Sequence, residues 1–214
     1  MDYPAEADQM SDADLLAYSQ EHLRYEIQNF FDAGRLLAAR SFDTSNSDEI
    51  TIKNALVESF ATHLRNLLLF LYPYGGEKSD VISDLFFSNP IPDWKRKRQP
   101  ESVFGFRDLR QRASQEVSHL TVFRRNSDKN KQWQLLETMQ SVKAVLDVFV
   151  ENAPSTKLDA SVKDLVKSIQ LPMSPLRTAT GSTSGIAITV VGSSMATNQP
   201  SGVSLTITSK PDEP

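Results

Sequence analysis

Arg112 and His119 stand seven residues apart in the run from Leu109 to Thr121. Seven residues close about two α-helical turns, so in a uniform helix the two side chains leave within about 20° of one bearing. Imidazole changes its charge near neutral pH. Guanidinium presents a planar fork of donors that suits a phosphate. Together they move a proton and hold a phosphodiester, which makes Arg112 and His119 the candidate catalytic pair, with Glu116 on the same polar stripe as a supporting group. The same spacing has a plainer reading. Arg112 pairs one turn away with Asp108 or Glu116, and His119 hydrogen-bonds a neighbouring helix.

Two further polar residues fall on apolar helix faces. His63 lies close to the bearings of Ile52 and Phe70, with Ser59 and Asn66 beside it. A buried imidazole needs a hydrogen-bond partner, and Asn66 and Glu26 are the candidates. Glu26 itself sits inside the apolar arc of an earlier helix, with His22 on the edge of that arc. A carboxylate there also needs a partner, for which Arg112 and His63 are the candidates. These residues either pin helix register or support the Arg112/His119 pair from behind.

The elements that must position these groups follow from periodicity. Residues 11–40 read as one long helix, capped by Ser11, with Leu15, Leu23, Ile27, Phe30, Ala33 and Leu37 inward. A second helix runs from about 48 to 72, with Ile52, Leu56, Phe60, Leu64, Leu67 and Leu71 inward, and Pro73 and Gly75-Gly76 end it. A short helix is expected over 79–87, then an irregular stretch around Pro90, Pro92 and Pro100. The third main helix spans about 105–123, a fourth about 131–151 and a weaker one about 157–169. The expectation is an all-α fold: an antiparallel bundle of four main helices with short accessory helices.

Composition changes after the bundle. From Pro172 to Lys210 only Arg177 and Lys210 are charged, and half of the chain's glycines lie there. The expected division is a helical domain over 1–171 and a Ser/Thr/Gly-rich tail over 172–214, mostly disordered or forming a marginal hairpin. Truncation near residue 172 is expected to leave the helical circular dichroism and the melting temperature nearly unchanged. A large drop would show that the tail packs as a structural strand pair.

The net charge of −4 hides a strong asymmetry. Lys95 to Lys131 carries +7 and the remainder −11. A basic face attracts phosphates, and Lys95, Arg96, Lys97 and Arg98, following Trp94, form a candidate nucleic-acid patch. A solvated loop, or neutralisation against the acidic N-terminal segment, explains the run equally well. There is no cysteine, which removes disulfides and thiolate metal sites. HExxH, P-loop, GxGxxG and GxSxG motifs are also missing. No metal and no cofactor are expected. The acidic start has no signal-peptide pattern and no apolar run is long enough for a membrane span, so a cytoplasmic, non-membrane protein is expected.

A helical bundle bearing Arg112-x6-His119 on a late helix resembles the HEPN superfamily of prokaryotic toxins and defence ribonucleases. The segments Phe60 to Leu67 and Arg112 to Thr121 also look like those of uncharacterised bacterial helical proteins. The resemblance covers about residues 11–152. It implies a metal-independent endoribonuclease or RNA-binding protein, with Arg112 and His119 acting on RNA in a composite site across a homodimer. The residue after the arginine is typically polar in catalytic members. Here it is Ala113, which departs from that pattern. The competing expectation is a non-enzymatic helical interaction or dimerisation module.

Overall fold

The computed structural model describes residues 7–73, 77–87, 93–118 and 133–171. The chain divides into two units, Met1–Pro175 and Leu176–Pro214. The second unit, the expectations for 172–214 and those for His119 lie outside the described residues. All regular structure among the described residues is helical, and no helix is long and apolar enough to cross a membrane.

Helix α1 (Asp12–Tyr18) starts at Ser11. The Ser11 hydroxyl accepts the Asp14 amide at 3.2 Å while the Asp14 carboxylate accepts the Ser11 amide at 3.0 Å, a reciprocal capping box. The Ser11 hydroxyl also donates to the Asp14 carboxylate at 2.7 Å, and that bond, then the one from the Ser11 amide, holds the Asp14 carboxyl below its ordinary value. The single helix expected over 11–40 then changes winding. Ser19–Leu23 is a π turn, and α winding resumes as α2 (Arg24–Ala39). Buried Ser19 accounts for the change: its hydroxyl donates to the Leu16 carbonyl at 2.8 Å and accepts the Asp159 amide at 2.9 Å. A side chain that engages the helical carbonyl ladder is an ordinary cause of local rewinding.

Helix α3 (Ser47–Leu71) is capped by Asn46, whose side-chain oxygen accepts the amides of Asp48 and Glu49. Leu64, Leu67 and Leu71 are buried, as the apolar stripe predicts. Ile52 departs from it, being 39% exposed, because nothing on α3 is buried before Phe60. Contacts Phe30–Phe60 and Glu26–His63 run in opposite senses along α2 and α3, so these helices are antiparallel.

The expected helix over 79–87 reduces to a 3-10 turn at Ser83–Phe86. The proline-rich stretch contains instead a one-turn helix, α4 (Asp93–Lys97), and buries Trp94. Helix α5 (Phe106–Arg112) begins after Gly105, whose φ of 62° is left-handed and favours glycine. The third main helix is therefore α only to Arg112, and Ala113–Ser118 winds as a second π segment. Helix α6 (Leu135–Asn152) buries Met139, Val142, Leu146 and Phe149, as expected. Helix α7 (Ala160–Ser168) closes the domain with Val162 and Val166 inward.

Two packing centres hold these elements. At Gly34 an added Cβ would lie 2.5 Å from the Met139 sulfur and 3.1 Å from the Phe60 ring, so the missing side chain lets α2, α3 and α6 approach closely. Further along, Phe149 meets Phe70, Phe86, Phe87 and Trp94 at ring-centroid distances of 5.2–5.9 Å.

The C-terminal end of α3 is closed by two arginines. Arg98 donates to the Leu71 carbonyl, and Arg110 donates to the Tyr72 carbonyl at 3.1 Å. Cations at this end also suit the helix dipole. The Arg98 guanidinium lies 4.4 Å over the Tyr72 ring, and the Tyr72 hydroxyl donates to the Gln99 carbonyl at 2.6 Å. Burial pushes the Tyr72 phenol up to about 12, against the opposing charge of Arg98 and with help from Glu101. The folded value exceeds the unfolded one, so this contribution to stability is complete below pH 10 and lost as pH rises towards 12. In Tyr72→Phe, denaturant melts across that interval should show a smaller loss of stability with pH than wild type shows.

Candidate functional site

Arg112 ends α5, where the winding changes. Its guanidinium carbon lies 4.2 Å from the centroid of the Trp133 ring, and Trp133 packs edge-on against Phe60 at 5.9 Å. A guanidinium stacked on an indole is oriented by the ring quadrupole. Arg112 borders a half-open pocket of about 250 Å³ together with Leu109, Gln134, Glu137, Thr138 and Ser141. The last four belong to the N-terminal end of α6. The first amides of a helix have no intrahelical acceptor and carry the positive end of its dipole. The Gln134 side chain makes no capping bond there. The pocket thus sets the Arg112 cation against one flank of the first two turns of α6, where Glu137 contributes a carboxylate.

Glu26, His63 and Asn66 come together elsewhere, between α2 and α3. Glu26 Oε2 lies 2.7 Å from His63 Nδ1 and accepts the Asn66 amide at 3.2 Å. Glu26 therefore takes His63, one of its two candidate partners, and His63 takes Glu26. Tyr25 sits edge-on to the imidazole with centroids 5.5 Å apart. The carboxylate at Nδ1 favours the tautomer with its proton there. With its side chain only 12% exposed, His63 ties the two helices together. His63→Ala should cost about 1–3 kcal/mol by leaving Glu26 without its main donor, read as a lower urea midpoint. An unchanged midpoint would show that the pair contributes nothing to register.

The basic run is occupied by structural work. Lys95 pairs with Asp84 at 2.7 Å and Lys97 donates to Asn152 Oδ1 at 2.6 Å. Arg98 closes the end of α3, and burial lowers its pKa. Arg96 is exposed and also has an interaction partner. Trp94, at the head of this run, belongs to the core rather than to a solvated loop.

His119 lies outside the described residues, as does the Glu116 side chain. The backbone before His119 still changes one premise. The shared bearing of Arg112 and His119 assumed uniform α winding, whereas the i→i+5 pattern over Ala113–Ser118 adds one residue to a turn. A residue added in this way turns the end of the segment at Ser118 back by about 100° relative to an unbroken α-helix. Ala113, the position that departs from the catalytic pattern, is fully buried.

Trp133 was not among the sequence candidates, although it is one of only two tryptophans and stands just before α6. Tyr18 and Asp80, which line a second pocket with Glu26 and Asn66, carried no sequence signal, because their proximity depends on the first π turn and on the connection after α3. Among the described residues no three His, Asp or Glu side chains gather as a metal-ligand set. Comparison with protein-family models, with curated proteins and with solved structures finds no match in any of the three.

Proposed function

We propose that this chain is a HEPN-like, metal-independent endoribonuclease or RNA-binding protein acting as a homodimer, with Arg112 and His119 as its reactive pair. The Arg112 guanidinium, stacked on Trp133 at the edge of a half-open pocket, carries this reading, since it is an oriented cationic donor of the kind that balances charge on a phosphate. In this mechanism the 2′-hydroxyl attacks phosphorus and the bond to the 5′-oxygen breaks. His119 makes one of the two proton transfers, from the attacking oxygen or to the leaving oxygen, and solvent water makes the other. Arg112 balances charge on the phosphoryl oxygens. The test is cleavage of a labelled RNA in the presence of a chelator, comparing wild type with His119→Ala and Arg112→Ala. Cleavage by wild type alone supports the proposal, and cleavage that survives in His119→Ala overturns it.

The second reading, a non-enzymatic helical interaction module, is favoured by the internal use of Lys95, Lys97 and Arg98. Exposed apolar side chains at Tyr25, Leu36 and Ile50 also fit it. Absence of salt-dependent RNA binding by wild type would decide for the module.

A further inference from the structure

The first π turn creates a pocket that the proposed RNA chemistry does not use. Over eight residues of uniform α-helix, Tyr18 and Glu26 would diverge by about 80°. The extra residue wound into Ser19–Leu23 removes one step of about 100°, leaving them about 20° apart. Both then line one half-open pocket of about 170 Å³, with Asn66, Leu67 and Phe70 from α3 and Asp80 from the connection that follows.

The chemistry of the lining is one-sided. Glu26 and Asp80 bring carboxylates. Asn66 spends its amide nitrogen on Glu26, which leaves its carbonyl oxygen as an acceptor. Tyr18 adds an aromatic ring and a phenol oxygen. Among the described residues no lysine, arginine or histidine lines the pocket, and Leu67 and Phe70 give it an apolar wall. Burial, then the charges of Glu26 and Asp80, raise the Tyr18 phenol above its ordinary value, so both carboxylates are felt inside the pocket.

We propose that this pocket binds a small primary alkylammonium ion. Its three N–H donors match the oxygens of Asp80, Glu26 and Asn66, the Tyr18 ring faces the cation, and its carbon chain lies along Leu67 and Phe70. This site is independent of the RNA reading and stands or falls without it.

The test titrates the full-length protein by calorimetry with n-butylammonium chloride, beside n-butanol as the neutral chain of equal length and sodium butyrate as the anion. Saturable binding of n-butylammonium, at least about tenfold tighter than n-butanol, is expected from a charge-assisted hydrogen bond. Asp80→Asn, with native circular dichroism, should weaken it about tenfold. A readout that needs no change at Asp80 is the near-ultraviolet tyrosine difference spectrum at pH 7, where the ligand is fully charged. Saturating n-butylammonium should perturb it in wild type and have no such effect in Tyr18→Phe. Equal binding of n-butanol, preference for butyrate, no saturable binding of n-butylammonium, or an unchanged Tyr18 difference spectrum would each overturn the proposal.

Discussion

On the proposed chemistry, His119→Ala is expected to lower RNA cleavage by about 10²–10⁴-fold, the usual contribution of a positioned general acid or base, and to leave the melting temperature near that of wild type. The pairing with His63→Ala makes this result specific. His63 is tied to Glu26 across the α2–α3 contact, so its loss acts on stability first. If the proposed chemistry is correct, the two histidines separate: one variant is folded and inactive, the other less stable and still active when folded. Arg112→Ala should lower cleavage by about 10²–10³-fold, as removal of a preorganised charge-stabilising donor does. Arg112→Lys should recover only part of it, because an ammonium cannot stack flat on Trp133 while engaging two phosphate oxygens. The measurement is single-turnover cleavage at matched ionic strength with melting curves for each variant. Full activity in His119→Ala, or loss of activity in His63→Ala at unchanged stability, would reverse the assignment of the two histidines.

The largest expected effect on stability comes from Phe149→Ala. Phe149 is fully buried and its ring touches Phe70, Phe86, Phe87 and Trp94. Truncation removes the transfer energy of the ring and leaves a cavity whose walls are rings on three other segments, each fixed by its own packing. The cost should be about 3–5 kcal/mol, seen as a melting temperature lower by roughly 10 °C or more for a domain of this size. Phe149→Leu should cost less, because it keeps part of the volume. A fall of only a few degrees in Phe149→Ala would mean that the cluster collapses around the gap.

The apolar spacing alone predicts the buried faces of α2 and α6 and the latter half of α3, since a 3.6-residue period needs nothing beyond the helix itself to select a face. The capping role of Ser11 was legible for the same reason: cap and helix are neighbours in sequence. The need of Glu26 and His63 for partners was also legible, because a polar group on an apolar stripe must be satisfied wherever it lands. Which partners they take was not, for that depends on how far α2 slides along α3, and the ring contact of Phe30 with Phe60 sets that register. Ile52 shows the converse limit. Its spacing is right for the core, but among the described residues no side chain of α3 before Phe60 is buried, and Ile52 is exposed.

The chemistry of the candidate residues was fixed by their types, and their mutual placement was decided only in three dimensions. Sequence marked Lys95 to Arg98 as a basic run. The fold gives Lys95 to Asp84, Lys97 to Asn152 and Arg98 to the end of α3, because unpaired helix carbonyls and buried carboxylates are stronger local attractors than solvent for nearby cations. Sequence marked Arg112 as a phosphate ligand but gave no sign of Trp133 or the α6 N-terminus, which reach it from across the bundle. The two π turns mark the sharpest division. A helical wheel assumes one angle per residue. Buried Ser19, bonded both to Leu16 and to the start of α7, ties the first rewinding to a segment far away in the chain. The bearings of Tyr18 and Glu26 thereby became a property of the tertiary structure rather than of the spacing between them.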